Sequence, residues 1–233
     1  PYAYGYIYKS NNGGTGKKSA GTPEILAGCS PATSRKDLDI NNTRAMIHSG
    51  GDMWWDLIGA ARYEIPKNSG KMSLFAGALW LGGRDVSGQL KVAAQRFRDN
   101  GNDFWTGPLS TITAEIDPQT CIDWDKHFVT TREEVAMFKG WYDAGIEDAT
   151  NGTTTQIDNF PNYQISQSII NWPAHGRNSE PYNEDFYLAP FFDRNLDGVY
   201  DPYGGDYPWY DFSAQPSCTQ GKINKIYGDQ NIW

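Results

Sequence analysis

The residues best suited to chemistry lie near the C-terminal end of the chain, where side-chain oxygens recur at every second position. Asp193, Asn195 and Asp197 are followed at once by Gly198 and, three residues later, by Asp201. Ca²⁺ takes six to eight oxygen ligands at about 2.3–2.6 Å, and one tightly turned loop supplies most of them. The alternation brings the oxygens to one side of the loop, and the glycine permits the sharp turn.

This spacing predicts a calcium-binding loop rather than a sensor EF-hand. Gly204 stands where an EF-hand loop has its bidentate Glu, and Pro202 excludes a following helix of the usual kind. The loop is closer to the short DxNxDGxxD calcium loops of extracellular modules. An Asp/Asn/Gly-rich turn without a metal is the alternative. The predicted ligands are the side chains of Asp193, Asn195, Asp197, Asp201 and Asp206 and the backbone carbonyl of Val199.

Length and composition restrict the classes of protein to which the chain can belong. It has 233 residues, enough for one large domain or two small ones, and its net charge is −8. An acidic chain lacks the basic face that nucleic-acid binding requires. No run of 18 apolar residues occurs, so no membrane-spanning segment is predicted. Nine Trp and fourteen Tyr indicate a core built largely from aromatic rings.

The three cysteines, Cys29, Cys121 and Cys218, are widely spaced and form no CxxC motif. An odd number permits one disulfide and a free thiol, or no disulfide. The cysteines therefore do not indicate the cellular compartment by themselves.

The first 34 residues differ from the remainder of the chain. Tyr2, Tyr4, Tyr6 and Tyr8 recur with period two, which places four rings on one face of a strand. Such a strand is an aromatic binding platform or, as we favour, packs on the core or on a partner. Residues 9–22 have the composition of a flexible linker. We therefore predict an N-terminal strand and linker over 1–34 and a β-rich domain over 35–233.

The pattern of the larger region predicts a mainly β fold, irregular and sandwich-like, with long loops and one or two short helices. Residues 72–81 and 89–98 are predicted to form a β-hairpin, although 89–98 also fits a short helix. A capping box at Thr130–Glu133 predicts a helix over about 131–143, and a second short helix is expected at 163–171. Residues 144–165 are predicted to be a loop.

No catalytic signature stands out, so we expect binding rather than catalysis. His48, His127 and His175 form no metal or triad motif, and hydrogen-bonded packing is their expected role. The alternative function is a carbohydrate-binding module or a glycan-active enzyme, in which exposed rings stack on sugars. The candidate rings for that function are Trp54 with Trp55, Trp105, and Trp209 with Tyr210.

Several segments of the chain form a set that is specific when taken in order. They are NTRA at 42–45, GGDMWWD at 50–56, SLFAGALWLGG at 73–83, GQLKVAAQ at 88–95, DFWTGPL at 103–109, Cys121 with WDK at 124–126, NWPAHG at 171–176, LAPF at 188–191, DYP at 206–208 and GDQNIW at 228–233. In that order they resemble the N-terminal region of large secreted surface proteins of Bacteroidota that carry a C-terminal type IX secretion sorting domain. The resemblance covers about residues 35–233.

This resemblance implies export across the outer membrane, a location outside the cell, and a role in adhesion, motility or an extracellular assembly. It implies no catalytic residue. We therefore expect a secreted structural or adhesive protein with a Ca²⁺-stabilised loop, and we expect the chain to be the N-terminal part of a longer one. Its partners would be other proteins of the assembly. The strand at 2–8 would be suited to self-association by strand addition.

Overall fold

The computed structural model describes residues 29–95, 103–210 and 228–233. The chain divides into two compact units, one formed by Pro1–His127 with Asn178–Glu184 and the other by Phe128–Arg177 with Asp185–Trp233. Among the described residues, strand content, at 24%, slightly exceeds helix content, at 21%. The predicted residues Tyr2, Tyr4, Tyr6, Tyr8 and Cys218 lie outside the described ranges.

The first unit is built on a small antiparallel sheet of very short strands. In sheet order, β5, β4, β2, β3 and β6 are neighbours, and β1 also pairs with β2. These strands are β1 (Arg35–Leu38), β2 (Arg44–His48), β3 (Asp52–Met53), β4 (Tyr63–Glu64), β5 (Met72–Leu74) and β6 (Gly77–Ala78).

A β-hairpin follows in the same unit. Strands β7 (Trp80–Arg84) and β8 (Leu90–Ala94) pair in antiparallel register. Asp85 shapes the connecting turn, because its Oδ1 accepts hydrogen bonds from the backbone amides of Ser87 and Gln89 at 2.9 Å each. The predicted hairpin is thus confirmed for its inner part. The prediction was wrong for residues 72–78, which join the larger sheet instead.

A disulfide joins Cys29 and Cys121 within the first unit. Cys121 lies in helix α1 (Pro118–Asp123), which begins after Asp117. The Asp117 carboxylate caps this helix by accepting the amides of Gln119 and Thr120. Of the two alternatives that the cysteine count left open, this disulfide excludes the one in which no disulfide forms.

In its described residues the second unit combines three α-helices and one 3-10 helix with short strand pairs, and the longest of these elements is the 20-residue helix α2. Strand β9 pairs with β12, and β10 pairs with β11, both antiparallel. Its elements are β9 (Val129–Thr131), α2 (Arg132–Asn151), α3 (Thr155–Asn159), α4 (Gln167–Ile170), β10 (Phe191–Phe192), a 3-10 helix (Pro202–Gly204), β11 (Tyr207–Pro208) and β12 (Gln230–Ile232).

Helix α2 starts one residue later than its sequence signature predicts. The capping box is made by Thr131 and Glu134, with Thr131 Oγ1 accepting the Glu134 amide at 3.1 Å and the Glu134 carboxylate accepting the Thr131 amide at 2.8 Å. Thr130 is instead fully buried in β9, where it pairs with Asn231. The strand therefore occupies the position that the sequence pattern gave to the cap.

The prediction of a loop over 144–165 was wrong, because α2 continues to Asn151 and α3 follows it. Gly152, in the left-handed conformation at φ 69°, ends α2. The Asp148 carboxylate then accepts the amides of Thr155 and Gln156 at 2.8 and 2.7 Å. Contacts between the two helices, rather than local apolar periodicity, hold this polar segment in helical form.

The core of the second unit is aromatic, as the composition predicts. Phe138 of α2 and Ile169 of α4 are completely buried, and Tyr207 of β11 packs against Phe138 with ring centroids 6.2 Å apart. Phe192 of β10 stacks on Tyr207 at 4.9 Å. The strand pair β10–β11 is therefore anchored on α2 by its own side chains.

Within the described ranges the fold class is thus only partly as expected. Strand exceeds helix, but four α-helices are present where one or two were predicted, and the sheets are small and antiparallel. A sandwich arrangement is not confirmed. None of the described helices is long and apolar enough to cross a lipid bilayer.

Candidate calcium-binding loop

The predicted calcium loop connects β10 to β11 in the second unit. Phe192 pairs with Tyr207, so Asp193 leaves the strand pair on one side and Asp206 enters it on the other. The antiparallel pairing therefore holds the two ends of the loop together. It explains how Asp206, thirteen residues beyond Asp193, joins the same cluster.

Asp193 organises the first turn of the loop. Its two carboxylate oxygens accept the backbone amides of Leu196 and Gly198, each at 2.7 Å. Gly198 has φ 79°, and a Cβ there would lie 2.6 Å from the Tyr187 hydroxyl. A glycine is required on both counts, which supports the predicted role of this residue in the sharp turn.

Asn195 and Asp197 form the second part of the loop. Asn195 Oδ1 accepts the Asp197 amide at 3.1 Å, and Asn195 Nδ2 donates to Asp197 Oδ2 at 2.8 Å. Asp197 Oδ1 accepts the Val199 amide at 2.7 Å. Successive side chains thus accept amides from residues further along the loop, so the loop is folded by its own polar groups.

Asp206 is the buried member of the cluster, with 2% of its surface exposed. Its Oδ1 accepts the Arg194 amide at 2.9 Å and its Oδ2 accepts the Asp201 amide at 2.8 Å. Burial raises the pKa of this carboxyl, the two amide hydrogen bonds lower it, and the negative charges of Asp193 and Asp197 raise it again. The net effect is a raised pKa, with burial as the largest cause and the two neighbouring carboxylates as smaller ones.

The nearby cation does not neutralise this cluster. The Arg194 guanidinium donates to Asp143 at 2.8 Å and lies 4.8 Å from the centre of the Tyr142 ring. Tyr142 in turn donates its hydroxyl to the Gly204 carbonyl at 2.7 Å. The positive charge of Arg194 is therefore paired with helix α2, and the same helix holds the far side of the loop through Tyr142. The acidic oxygens of the loop remain without a cationic partner in the described part of the chain.

His175 supports the same loop from outside. Its Nε2 accepts the Tyr200 amide at 2.8 Å, which places the proton on Nδ1, where the Phe186 carbonyl accepts it at 3.0 Å. The structure thus confirms the expected packing role of this histidine. His48 and His127 behave alike: His48 Nε2 lies 2.7 Å from the Trp55 carbonyl, and His127 Nδ1 lies 3.0 Å from the Ser34 hydroxyl.

The donor set suits a hard cation, but the carboxylates are not arranged as a closed cage. Among the described residues no three His, Cys, Asp or Glu side chains form a metal-holding group. The loop oxygens accept backbone amides instead, and Asp201 caps the following 3-10 helix through its bond to the Tyr203 amide at 2.9 Å. Each accepting oxygen retains a second lone pair. Calcium binding by these residues stays a prediction, one that requires the side chains to turn inward.

The predicted aromatic sites are less exposed than a sugar-stacking platform needs. Trp55 is 3% exposed and donates its indole N–H to Asp52 at 3.1 Å. Trp54 and Trp105 are half-buried, and Trp54 meets Tyr63 edge to face at 5.4 Å. A role for these three rings in binding stays a prediction.

Sequence reasoning passed over one strongly exposed indole, that of Trp80. It stands in the apolar run 72–81, which was predicted to be the first strand of a β-hairpin and not a binding site. The sequence did contain a signal for its exposure. Trp80 alternates with Gly82 and Arg84, so this face of the strand has few apolar neighbours to cover the indole.

Comparisons of the chain with protein-family models, with curated proteins and with solved structures give no match.

Proposed function

We propose that this chain is a structural or adhesive module of a secreted cell-surface protein, and that Ca²⁺ stabilises the loop from Asp193 to Asp206. One observation carries the proposal. The buried Asp206 faces the charges of Asp193 and Asp197, and the nearby Arg194 is engaged elsewhere. A divalent cation would convert this mutual repulsion into attraction.

The benefit of the ion is the ordering of a long loop. Fixing one residue of backbone costs about 1–2 kcal/mol, and the loop has few apolar side chains to offset that cost. An ion that binds only the folded loop adds stability equal to RT ln(1 + [L]/Kd). With the Kd of about 10⁻⁴–10⁻³ M typical of extracellular calcium modules, about 10 mM Ca²⁺ adds about 1.4–2.7 kcal/mol.

Three considerations support a location outside the cell. The Cys29–Cys121 disulfide is of the kind that persists in oxidising compartments and is rare in the cytosol. The sequence motifs that resemble secreted surface proteins of Bacteroidota suggest the type IX route. A calcium site of millimolar affinity is useful only where calcium is abundant, which is also outside the cell.

The adhesive part of the proposal is supported by exposed apolar side chains on the β7–β8 hairpin. Leu90 and Val92 are largely exposed there, and clusters of such residues mark interaction surfaces. The partners we propose are other proteins of the assembly or further copies of this chain, joined by strand addition.

Deleting residues 1–10 should abolish assembly without unfolding the protein; unchanged assembly would remove the strand-addition hypothesis.

The calcium proposal is tested by thermal unfolding of the whole chain in EDTA and in about 10 mM CaCl₂. The stability gain given above corresponds to a rise in Tm of about 3–11 °C, since about 1 kcal/mol shifts Tm by about 2–4 °C at this size. Asp193→Asn and Asp197→Asn should reduce the rise, whereas Glu147→Gln, an equal charge change on the exposed face of α2, should leave it intact.

Equal concentrations of MgCl₂ serve as the ion control, because Mg²⁺ prefers rigid octahedral sites and keeps its waters. A Tm that is the same in EDTA and in calcium would refute the proposal. A rise in Tm with calcium that is equal in the unaltered chain and in all three variants would also refute it.

A further inference from the structure

The first unit contains a pocket of about 300 Å³. It lies beside β3, β6, β7 and the end of β8, far along the sequence from the calcium loop. The two small residues of β6, Gly77 and Ala78, are among those that line it. The two distinctive ends of the pocket are a polar pair, Asp52 with Gln95, and an indole, Trp80.

The polar end offers hydrogen-bond acceptors. Asp52 is 5% exposed; its Oδ1 accepts the Trp55 indole N–H at 3.1 Å, and its Oδ2 accepts the Gln95 side-chain amide at 2.6 Å. Because Gln95 Nε2 must donate to Asp52, its Oε1 is fixed as an acceptor. That oxygen is buried and has no hydrogen-bond partner in the described structure.

A buried acceptor without a partner is unfavourable and rare in folded proteins, so its presence calls for a reason. A ligand that brings a donor into the pocket would remove the cost after a small shift of the Gln95 side chain. Asp52 also keeps one lone pair on each oxygen. The polar end is therefore complementary to a neutral group with several O–H donors.

The apolar end is a broad aromatic face held in place. Trp80 is 72% exposed, although its Nε1–H donates to the backbone carbonyl of Gln95 at 2.8 Å. This hydrogen bond fixes one edge of the indole next to the acceptor pair. A large ring that is both exposed and oriented is costly to leave in water, and it is suited to stacking on a flat apolar surface.

We propose that this pocket binds one pyranose ring of a glycan. The C–H face of the sugar stacks on Trp80, and its hydroxyls donate to Asp52 and, after a small side-chain shift, to Gln95. A volume of about 300 Å³ lies at the lower end of ligand sites, which suits a single ring. The proposal is independent of the calcium loop, which belongs to the other unit.

An ammonium group is the competing ligand, because an indole and a carboxylate also attract cations. The sugar is favoured because two N–H donors already stabilise the Asp52 charge. The acceptor that remains without a partner is the neutral amide oxygen of Gln95.

The test is saturation-transfer NMR and tryptophan-fluorescence titration of the whole chain. The probes are the methyl glycosides of glucose, galactose, mannose and N-acetylglucosamine at millimolar concentration, with propylamine as the cationic probe. At least one glycoside should bind. Trp80→Ala should weaken that binding about tenfold or more, which corresponds to about 1.4 kcal/mol. Trp80→Phe, which keeps a ring face, should retain most of it.

Two further variants separate loss of the site from loss of the fold. Ala78→Leu fills the pocket and leaves its polar groups in place, so it should abolish binding with an unchanged Tm. Leu90→Ala removes an exposed apolar side chain from the same hairpin outside the pocket, and it should bind as the unaltered chain does. No glycoside binding, binding unaffected by Ala78→Leu, or binding of propylamine alone would each overturn the proposal.

Discussion

Replacing Asp206 by Ala should destabilise the second unit strongly even without calcium. The change removes the acceptors of two backbone amides, those of Arg194 and Asp201, at 2.9 and 2.8 Å. A part-buried amide left without an acceptor costs about 1–2 kcal/mol. Loss of the repulsion from Asp193 and Asp197 offsets some of this, so we expect a net loss of about 2–3 kcal/mol.

Asp201→Ala in the same loop is the matched control. Asp201 is exposed and its side chain accepts one amide, that of Tyr203, so its removal should cost about 1 kcal/mol. Urea unfolding in EDTA measures both losses, and amide hydrogen exchange at Arg194 and Asp201 reports the local effect. The reasoning fails if Asp206→Ala costs no more than Asp201→Ala, or if those two amides exchange at unchanged rates.

The remaining predictions concern pH and the disulfide. Because the pKa of Asp206 is raised in the folded protein, its contribution to calcium-free stability falls as pH rises from the ordinary Asp value through the raised one. Ca²⁺ requires the ionised carboxylate, so the Tm difference between calcium and EDTA should grow from about pH 4 to about pH 7; a difference independent of pH would contradict this. Cys29→Ser opens a loop of 92 residues, for which the chain-entropy relation gives a loss of about 4–5 kcal/mol. Urea unfolding with and without reductant measures it, and an equal effect of reductant on the wild type and on Cys29→Ser would show that this bridge is not responsible.

Sequence alone identified features whose interactions span a few residues. The acceptors of the Asp193 loop reach amides two to five residues ahead, and the cap of α2 joins residues three apart. Such contacts depend on residue type and spacing, both of which can be read directly from the sequence. The predicted cap was one residue too early because Thr130 belongs to strand β9. The pairing of β9 with β12 joins distant residues, so the local sequence pattern could not indicate it.

Only the tertiary structure showed how distant residues come together. The sequence predicted Asp206 as a ligand beside Asp193, but the pairing of β10 with β11 that brings it there was not predicted. The meeting of Asp52 with Gln95, across 43 residues of sequence, was not predicted at all. The partner of Cys29 was likewise undetermined until the chain was folded. Local hydrogen bonds are selected by spacing, whereas these long-range pairings are selected by the packing of the whole unit, which no short segment encodes.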